Sequence, residues 1–204
     1  MNGAILAGGA ASRYDHRPKG LEPVGGRRIL DRLAETLTEV AGRAPLLIAN
    51  APGAATWRPG LRVVPDVRPG AGALGGLLTA IEQAPAPVLC VAWDMPFIPA
   101  GLLRELAAGL ERGCDAFLPA SGSRRGVEPM CAAYGPACAG PIAAAIGRGD
   151  LRAVAFHPDV KVGILPVEQV RRWGDPEVLF FNVNSPDDLL KAEELWRASS
   201  RSSG

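Results

Sequence analysis

The sequence predicts an α/β protein with a three-layer α/β/α architecture, in which a mainly parallel sheet carries helices on both faces. Short apolar runs that suit buried strands alternate along the chain with segments of helical periodicity. The strongest apolar run, residues 87–93, ends abruptly at Asp94. Strands joined by helical crossovers lie parallel to one another, so the alternation itself indicates the fold class.

Three strands and one helix are predicted before the Gly/Pro-rich loop at residues 65–72. Residues 3–7 are an apolar run that suits a short buried strand, and a glycine-rich, basic loop follows it. In residues 29–40 the apolar side chains recur at helical spacing, which predicts an amphipathic helix. Further apolar runs predict strands at 46–49 and 61–64, and a Gly/Pro-rich loop then leads into a helix at 74–83.

The second half repeats the pattern. In the run 87–93 all residues but the first are apolar, which predicts the most buried strand, and a helix at 102–110 has Pro99 near its start. The remaining predicted elements are strands at 116–118, 130–134, 162–165 and 178–181 and a helix at 141–146.

The C-terminal helix has a clear start signal. Ser185 is predicted to cap it, because Pro186 suits the first helical position and two acids follow, where the helix dipole favours negative charge. Residues 198–204 are predicted to be a frayed, disordered tail, which leaves a single domain over residues 1–197.

Composition excludes several classes of function. The 204 residues are 48% hydrophobic and 21% charged, with a formal net charge of +1. Such a balance argues against a general nucleic-acid binder or a binder of anionic membranes. The apolar runs are too short to span a bilayer, and no signal peptide is evident, so we expect a cytoplasmic protein. The four cysteines form no Cys-x-x-Cys pair, which favours reduced thiols over a zinc site.

The loop after the first strand is the richest candidate for a phosphate site. Gly8 and Gly9 let backbone amides approach an anion without obstruction, and Arg13 and Lys19 bring positive charge to the same place. Residues 13–28 contain five cations and two acids, although the whole chain is nearly neutral. A surface loop with solvated arginines is the alternative interpretation.

Further polar residues follow the other strands, where ligands bind in parallel sheets. Asp94 ends the most buried strand and is a natural Mg²⁺ ligand, although it could equally cap a turn. Asp66 follows another strand, and an Asx turn is its simplest interpretation. Asn182 and Asn184 are two residues apart, so in an extended segment they point the same way and could bind a ligand or satisfy backbone groups.

A literal Gly-x-Gly-x-x-Gly occurs at residues 70–75 and raises the alternative of a dinucleotide cofactor. Its context argues against this interpretation. The preceding strand is short, and Pro65 and Pro69 place a turn where the fingerprint requires a strand that runs directly into a helix.

Several motifs together resemble those of the molybdenum cofactor guanylyltransferases, a family of small nucleotidyltransferases. The resemblance runs from Gly3 to about Trp196. The motifs are Leu6-Ala7-Gly8-Gly9 with Arg13 and Lys19-Gly20-Leu21, then Gly72-Ala73-Leu74-Gly75-Gly76, Asp94-Met95-Pro96, and Asn182-Val183-Asn184-Ser185-Pro186. The double glycine and the last motif point to the guanylyl branch, because related cytidylyl enzymes tend to show Ala-Ala-Gly instead.

The resemblance implies a Rossmann-like nucleotidyltransferase fold and a Mg²⁺-dependent reaction that moves GMP from GTP to molybdopterin with release of pyrophosphate. It implies that Arg13, Lys19 and Asp94 are catalytic and that Asp94 also holds Mg²⁺. The implied nucleotide-binding residues are Leu6, Ala7, Gly8, Gly9, Lys19, Asn50, Asp66 and Asp94, and the implied substrate-binding residues are Asn182 and Asn184. Molybdoenzymes or cofactor-carrier proteins are candidate partners, and neither nucleic acid nor a membrane is expected.

Two departures from the family pattern leave the substrates open. Tyr14-Asp15 stands where the family usually has Met-Gly, and Glu128-Pro129 replaces what is often His-Pro or Tyr-Pro. A related nucleotidyltransferase that uses CTP, or a sugar or polyol phosphate acceptor, is one alternative. A nucleotide-binding module without turnover is another.

Overall fold

The computed structural model describes residues 1–8, 18–84, 86–123 and 126–201, with residues 200 and 201 described in the backbone only. Nine strands are described: β1 Asn2–Leu6, β2 Pro23–Val24, β3 Arg27–Arg28, β4 Leu46–Ile48, β5 Arg62–Val64, β6 Val88–Ala92, β7 Ala116–Pro119, β8 Cys131–Tyr134 and β9 Val162–Leu165. Seven α-helices are described: α1 Ile29–Ala41, α2 Gly72–Gln83, α3 Ala100–Glu111, α4 Ala139–Gly147, α5 Val167–Val170, α6 Pro176–Leu179 and α7 Pro186–Arg201.

A seven-stranded sheet with the order β5-β4-β1-β6-β8-β7-β9 forms the centre of the molecule. Strands β1, β4, β5 and β6 pair in parallel, as do β7 and β9, whereas β8 is antiparallel to both of its neighbours. Strands β2 and β3 form a separate antiparallel hairpin. The mainly parallel sheet predicted from the sequence is therefore confirmed, with β8 as its antiparallel member among the described strands.

Two hydrophobic layers enclose the sheet, as the predicted three-layer architecture requires. Successive side chains of a strand point to opposite faces, and in β1 Ile5 packs on one side while Ala4 and Leu6 pack on the other. The first layer includes α1 and α3, and the second includes α2 and α4. All of β1 is buried, which explains why it is read as a continuous apolar run rather than an alternating one.

Helix α1 shows how the sequence pattern becomes packing. Ile29, Leu30, Leu33 and Leu37 are all fully buried against the sheet, and the helix ends at Gly42, whose φ of 70° provides the left-handed cap. Helix α7 begins as predicted, because the backbone N–H of Asp188 donates to the hydroxyl of Ser185 at 3.2 Å.

Two expectations about the C-terminal region are wrong. Residues 178–181, expected to be extended, include the end of α6, which Asp175 caps by accepting from the backbone N–H of Glu177. Leu179 is buried at the end of this helical turn, and Phe180 is buried just after it. A short apolar run suits such a turn as well as a strand, so the sequence could not distinguish the two. Helix α7 continues through Arg201, so residues 198–201 are helical where a frayed tail was expected, and residues 202–204 lie outside the described part of the chain.

The four cysteines, all within the described residues, are free thiols. Burial raises the pKa of Cys90 well above its usual range and, with the nearby Asp115, raises that of Cys138 to about 12. The raised pKa values favour the protonated thiols at neutral pH. Three of the four cysteines are buried, as predicted. Within the described residues, no helix combines the length and apolar character needed to cross a membrane.

Candidate active site

The predicted binding residues converge on one edge of the sheet. Gly8, Asn50, Asp66 and Asp94 each lie two residues beyond the end of β1, β4, β5 and β6, which are parallel neighbours. The carboxyl ends of parallel strands meet at one edge, so this clustering follows directly from the topology. The fold therefore brings these four predicted positions together at one edge.

A cleft of about 180 Å³ opens at this edge. Four of its lining residues were predicted from the sequence, namely Leu6, Gly8, Asp94 and Asn182. The backbone N–H of Ala7 is committed to the carbonyl of Ile48 at 2.8 Å, which fixes the chain where β1 leads into the cleft. Gly9 and Arg13, also predicted here, lie outside the described residues.

Lys19 stands at the centre of the polar contacts. Its ammonium lies 3.1 Å from Oδ2 of Asp94 and donates to Oδ1 of Asn184 at 2.8 Å. The side chains of Lys19 and Asp94 are only 12% and 13% exposed. A partly buried cation with one carboxylate and one amide partner is fixed in position, and it would remain available to the oxygen atoms of a phosphate.

The backbone around residues 182–184 is fixed independently of Lys19. The N–H of Val183 donates to the carbonyl of Asp94 at 2.9 Å, and the N–H of Asn184 donates to Oδ2 of Asp188 at 2.9 Å. The side-chain amide of Asn182 donates to the carbonyl of Phe180 at 2.8 Å. The C-terminal motif is therefore joined directly to the strand end that carries Asp94.

Asp94 has one oxygen suited to a metal ion. Among the described residues, its buried Oδ1 has no hydrogen-bond partner, although Oδ2 accepts from Lys19. A buried carboxylate oxygen without a partner is costly, and a hard divalent cation is a ligand that would satisfy it. In the described part of the chain, no group of three or more His, Cys, Asp or Glu side chains could hold a metal ion.

Asn50 and Asp66 form a reciprocal pair after β4 and β5. The amide of Asn50 donates to Oδ2 of Asp66 at 2.7 Å, and the N–H of Asp66 donates to Oδ1 of Asn50 at 2.8 Å. Oδ1 of Asp66 lies 3.6 Å from where a Cβ on Gly76 would stand. Gly76 lines the cleft, so the pair is held at its edge.

The Gly-x-Gly-x-x-Gly segment leads into α2 through a turn. Gly70 and Gly72 have φ values of 84° and 58°, which side-chain-bearing residues rarely adopt. Gly72 and Gly76 then line the cleft, beside Ala73. These glycines therefore bring the start of α2 to the same space as Asp94.

Met130 lines the cleft but was not predicted as a site residue. It immediately precedes β8, and β8 is antiparallel to β6, so the start of β8 lies at the edge where β6 ends. A search confined to the ends of parallel strands could not find it. Its N–H donates to Oε1 of the buried Glu128 at 3.1 Å. Glu128, which departs from the family pattern, therefore contacts a residue that lines the cleft.

The fold, this edge and a match to a known family together place the chain among the nucleotidyltransferases. A family model described as the MobA-like NTP transferase domain matches residues 3–161. The chain belongs to this family, and the resemblance seen in its motifs is confirmed.

Known relatives agree with this assignment. The chain is 38% identical over 194 residues to a protein named as a probable molybdenum cofactor guanylyltransferase from Pelotomaculum thermopropionicum, covering 95% of this chain and 92% of the relative. The crystal structure of molybdopterin-guanine dinucleotide biosynthesis protein A from Archaeoglobus fulgidus matches with a TM-score of 0.81 and 26% identity, covering 97% and 100% of the two chains. A 4-diphosphocytidyl-2C-methyl-D-erythritol synthase from Anaerococcus prevotii matches with a TM-score of 0.68 and 15% identity over 96% and 95%, which shows a shared fold.

Proposed function

We propose that this enzyme transfers GMP from GTP to the phosphate group of molybdopterin and releases pyrophosphate. The observation that carries the proposal is the fixed ammonium of Lys19 between Asp94 and Asn184, because it joins the first motif, the strand-end acid and the C-terminal motif at one point. The names of the relatives support the choice of guanine nucleotide and acceptor.

The chemistry is an in-line displacement. An oxygen of the acceptor phosphate attacks the α-phosphorus of GTP, the bond from that phosphorus to the oxygen bridging to the β-phosphorus breaks, and pyrophosphate leaves with the bonding electrons. The acceptor phosphate is already ionised at neutral pH, so no protein base is required. Catalysis then depends on positioning and on charge stabilisation.

The chain's residues have separate tasks in this scheme. Lys19, with Arg13 from the same loop, stabilises the charge that grows on the leaving pyrophosphate. Asp94 would hold Mg²⁺ through its buried Oδ1, and the ion would neutralise charge shared between the phosphates when bound. Leu6, Ala7, Gly8 and Gly9 lie in the segment whose backbone would contact the nucleotide.

Asp66 is the residue that we assign to the base. A carboxylate accepts hydrogen bonds, and the Watson–Crick edge of guanine offers N–H donors. Asn50 holds Asp66 by two hydrogen bonds, so the carboxylate is oriented before the nucleotide arrives. Asn182 and Asn184 we assign to the acceptor side of the cleft, where Asn184 also holds the ammonium of Lys19.

A nucleotide panel tests the proposal. GTP with Mg²⁺ should raise the midpoint of thermal unfolding more than CTP, ATP, UTP or NAD, because a ligand that binds only the native state stabilises it. Pyrophosphate release should require GTP and molybdopterin together. A preference for CTP would favour the cytidylyl alternative, and GTP binding without release would favour a binding module.

The variant Asp66→Asn tests the assignment of the base. Replacing one carboxylate oxygen by an amide donor puts donor against donor, so we expect kcat/KM for GTP to fall by about tenfold to a hundredfold, the cost of a lost charge-assisted hydrogen bond. The ratio of kcat/KM for GTP over CTP should fall with it. An unchanged ratio would contradict this role of Asp66.

A further inference from the structure

Gly20, the neighbour of Lys19, is packed against an indole ring. A Cβ placed on Gly20 would stand 2.5 Å and 2.9 Å from ring carbons of Trp93 and 3.2 Å from its carbonyl oxygen. Gly20 is not among the glycines of positive φ, so backbone conformation does not require glycine there. Close approach to Trp93 is the reason that a side chain does not fit.

Trp93 is itself firmly held. Only 5% of it is exposed, its ring stacks on Trp57 with centroids 5.0 Å apart, and its backbone N–H donates to the carbonyl of Leu6 at 3.2 Å. A buried indole in a close-packed cluster does not move aside at low cost. The surface that Gly20 meets is therefore rigid.

Two successive residues of one segment thus contact two successive residues of another. Lys19 binds Asp94 through its ammonium, and Gly20 packs against Trp93. Lys19 and Gly20 lie in one tight turn. The N–H of Leu21 donates to the carbonyl of Pro18 at 2.9 Å, and that of Glu22 donates to the carbonyl of Lys19 at 3.1 Å. A shift of Gly20 would displace the backbone that carries the lysine.

We propose that Trp93 is a positioning residue, which acts through Gly20 to set where the ammonium of Lys19 stands relative to Asp94. The catalytic consequence rests on the proposed function. The packing of Gly20 against Trp93 does not, and it is tested on the ligand-free protein. Trp93 also lines the cleft, so Gly20→Ala, which leaves the indole in place, is the variant that isolates the placement of Lys19.

A change of size on each side of the contact tests the proposal. Gly20→Ala adds a methyl group that overlaps the indole, and Trp93→Leu removes the ring carbons nearest to it. The double variant restores approximate complementarity, leaving only the 3.2 Å contact with the carbonyl of residue 93 to relax. Gly101→Ala is the control. Gly101 lies on α3, its Cβ would overlap the indole of Trp173, and neither residue lines the cleft.

The first readout is amide hydrogen exchange at Leu21 and Glu22 in the ligand-free protein. Gly20→Ala should accelerate exchange by about tenfold, the factor that one net hydrogen bond contributes, and the double variant should return toward wild type. Gly101→Ala should leave these two rates unchanged. Unchanged rates in Gly20→Ala, or no recovery in the double variant, would overturn the proposal.

The second readout is kinetic. Gly20→Ala should lower kcat for pyrophosphate release by about tenfold to a hundredfold, the scale of a displaced catalytic group, with little change in the KM of the acceptor. The double variant should recover, and Gly101→Ala should keep wild-type kcat whatever its effect on the thermal midpoint. Accelerated exchange with normal kcat would mean a contact without a positioning role and would overturn the inference.

Two further outcomes remain decisive. If the wild-type protein releases no pyrophosphate from GTP, the proposed function fails, and the affinity for tripolyphosphate across the same variants then tests the positioning of Lys19. Loss in Gly20→Ala with recovery in the double variant would support the inference, and equal affinities would overturn it. If Gly20→Ala does not fold, Trp93→Leu alone should accelerate the same exchange, and unchanged rates would overturn it.

Discussion

At the scale of single residues, the site depends on one lysine, which joins its own segment to two distant parts of the chain. The chain has only three lysines, at 19, 161 and 191, in contrast to nineteen arginines. Lys19 meets Asp94 and Asn184, which are 75 and 165 residues away in sequence. A lysine is a compact point charge on a flexible stem, so its position has to be set by its partners.

Asn184→Ala tests the contact of Lys19 with Asn184 separately from its contact with Asp94. Removing the amide oxygen frees the ammonium from one of its two contacts, so we expect kcat to fall by about tenfold, on the scale of one hydrogen bond to a charged group. Asn182→Ala is the comparison, because the amide of Asn182 binds a backbone carbonyl instead of Lys19. We expect it to raise the KM of the acceptor more than it lowers kcat. Steady-state assays of pyrophosphate release measure both, and equal effects on kcat would contradict the different roles assigned to the two asparagines.

The residue scale also shows how far sequence reasoning reaches. Asp94, Lys19 and the two asparagines could be predicted because each follows a strand or belongs to a compact motif. Met130 could not, because only the pairing of β8 reveals at which edge that residue lies. The contact of Gly20 with Trp93 could not be predicted either, since no local pattern reports which glycine a ring will cover.

At the scale of elements, the segment after Lys19 is fixed by α1 and α7. Arg28 and Arg58 both bind the carboxylate of Asp31 in the first turn of α1, and Arg28 also donates to the carbonyl of Trp57 at 3.1 Å. Burial alone would raise the pKa of Asp31, but the hydrogen bonds from the two arginines outweigh it and lower the pKa. The ionised form is therefore favoured by folding.

Asp31→Asn should make stability less dependent on pH. A carboxyl whose pKa is lower in the folded state stabilises the protein above its unfolded pKa, and this contribution disappears as pH falls through the folded pKa. We expect the variant to lose about 1–2 kcal/mol of unfolding free energy near neutral pH and progressively less in acid. Urea unfolding across pH measures this. Glu39→Gln, in an exposed pair with Arg104, is the control and should change little; a pH-independent loss in Asp31→Asn would contradict the argument.

Helix α7 holds the hairpin of β2 and β3 from the other side. The N–H of Gly25 donates to Oε1 of Glu193 at 2.8 Å, a Cβ on Gly25 would overlap the indole of Trp196, and the guanidinium of Arg32 lies 4.0 Å from the centre of that ring. The helix that follows Asn184 therefore contacts the hairpin that follows Lys19.

Trp196→Ala tests this connection between elements. Losing the ring removes the surface on which the hairpin turn rests, so we expect the unfolding free energy to fall by about 2 kcal/mol, less than for a fully buried tryptophan. Leu190→Ala on the same helix is the control, because Leu190 is 67% exposed. Urea unfolding compares the two variants. Equal small losses would show that α7 does not support the hairpin.

At the scale of the whole molecule, parallel pairing is what assembles the site. Four strands deliver Gly8, Asn50, Asp66 and Asp94 to one edge, and α2 starts at the same edge. The alternation of strands and helices made this edge predictable, because it is a property of the topology. The direction of β8 and the helical turn at the end of α6 were not predictable, because short apolar runs carry no information about direction and little about helix or strand.

The C-terminal segment also contacts residues from the first half of the chain at the site. The family model matches residues 3–161, yet Asn182 and Asn184 lie beyond them and still reach the cleft region. The backbone contact of Val183 with Asp94 makes this segment part of the site rather than an appendage. The C-terminal segment is therefore where we expect the identity of the acceptor to be decided.

Pyrophosphate release by Lys19→Ala and Asp94→Ala, assayed with GTP, molybdopterin and Mg²⁺, tests the central claim most directly. These two side chains supply the fixed ammonium and the carboxylate suited to the metal ion. We expect the wild-type protein to turn over and each variant to be slower by at least about a hundredfold, the scale of a lost electrostatic stabiliser. Near-wild-type rates in either folded variant would contradict the account.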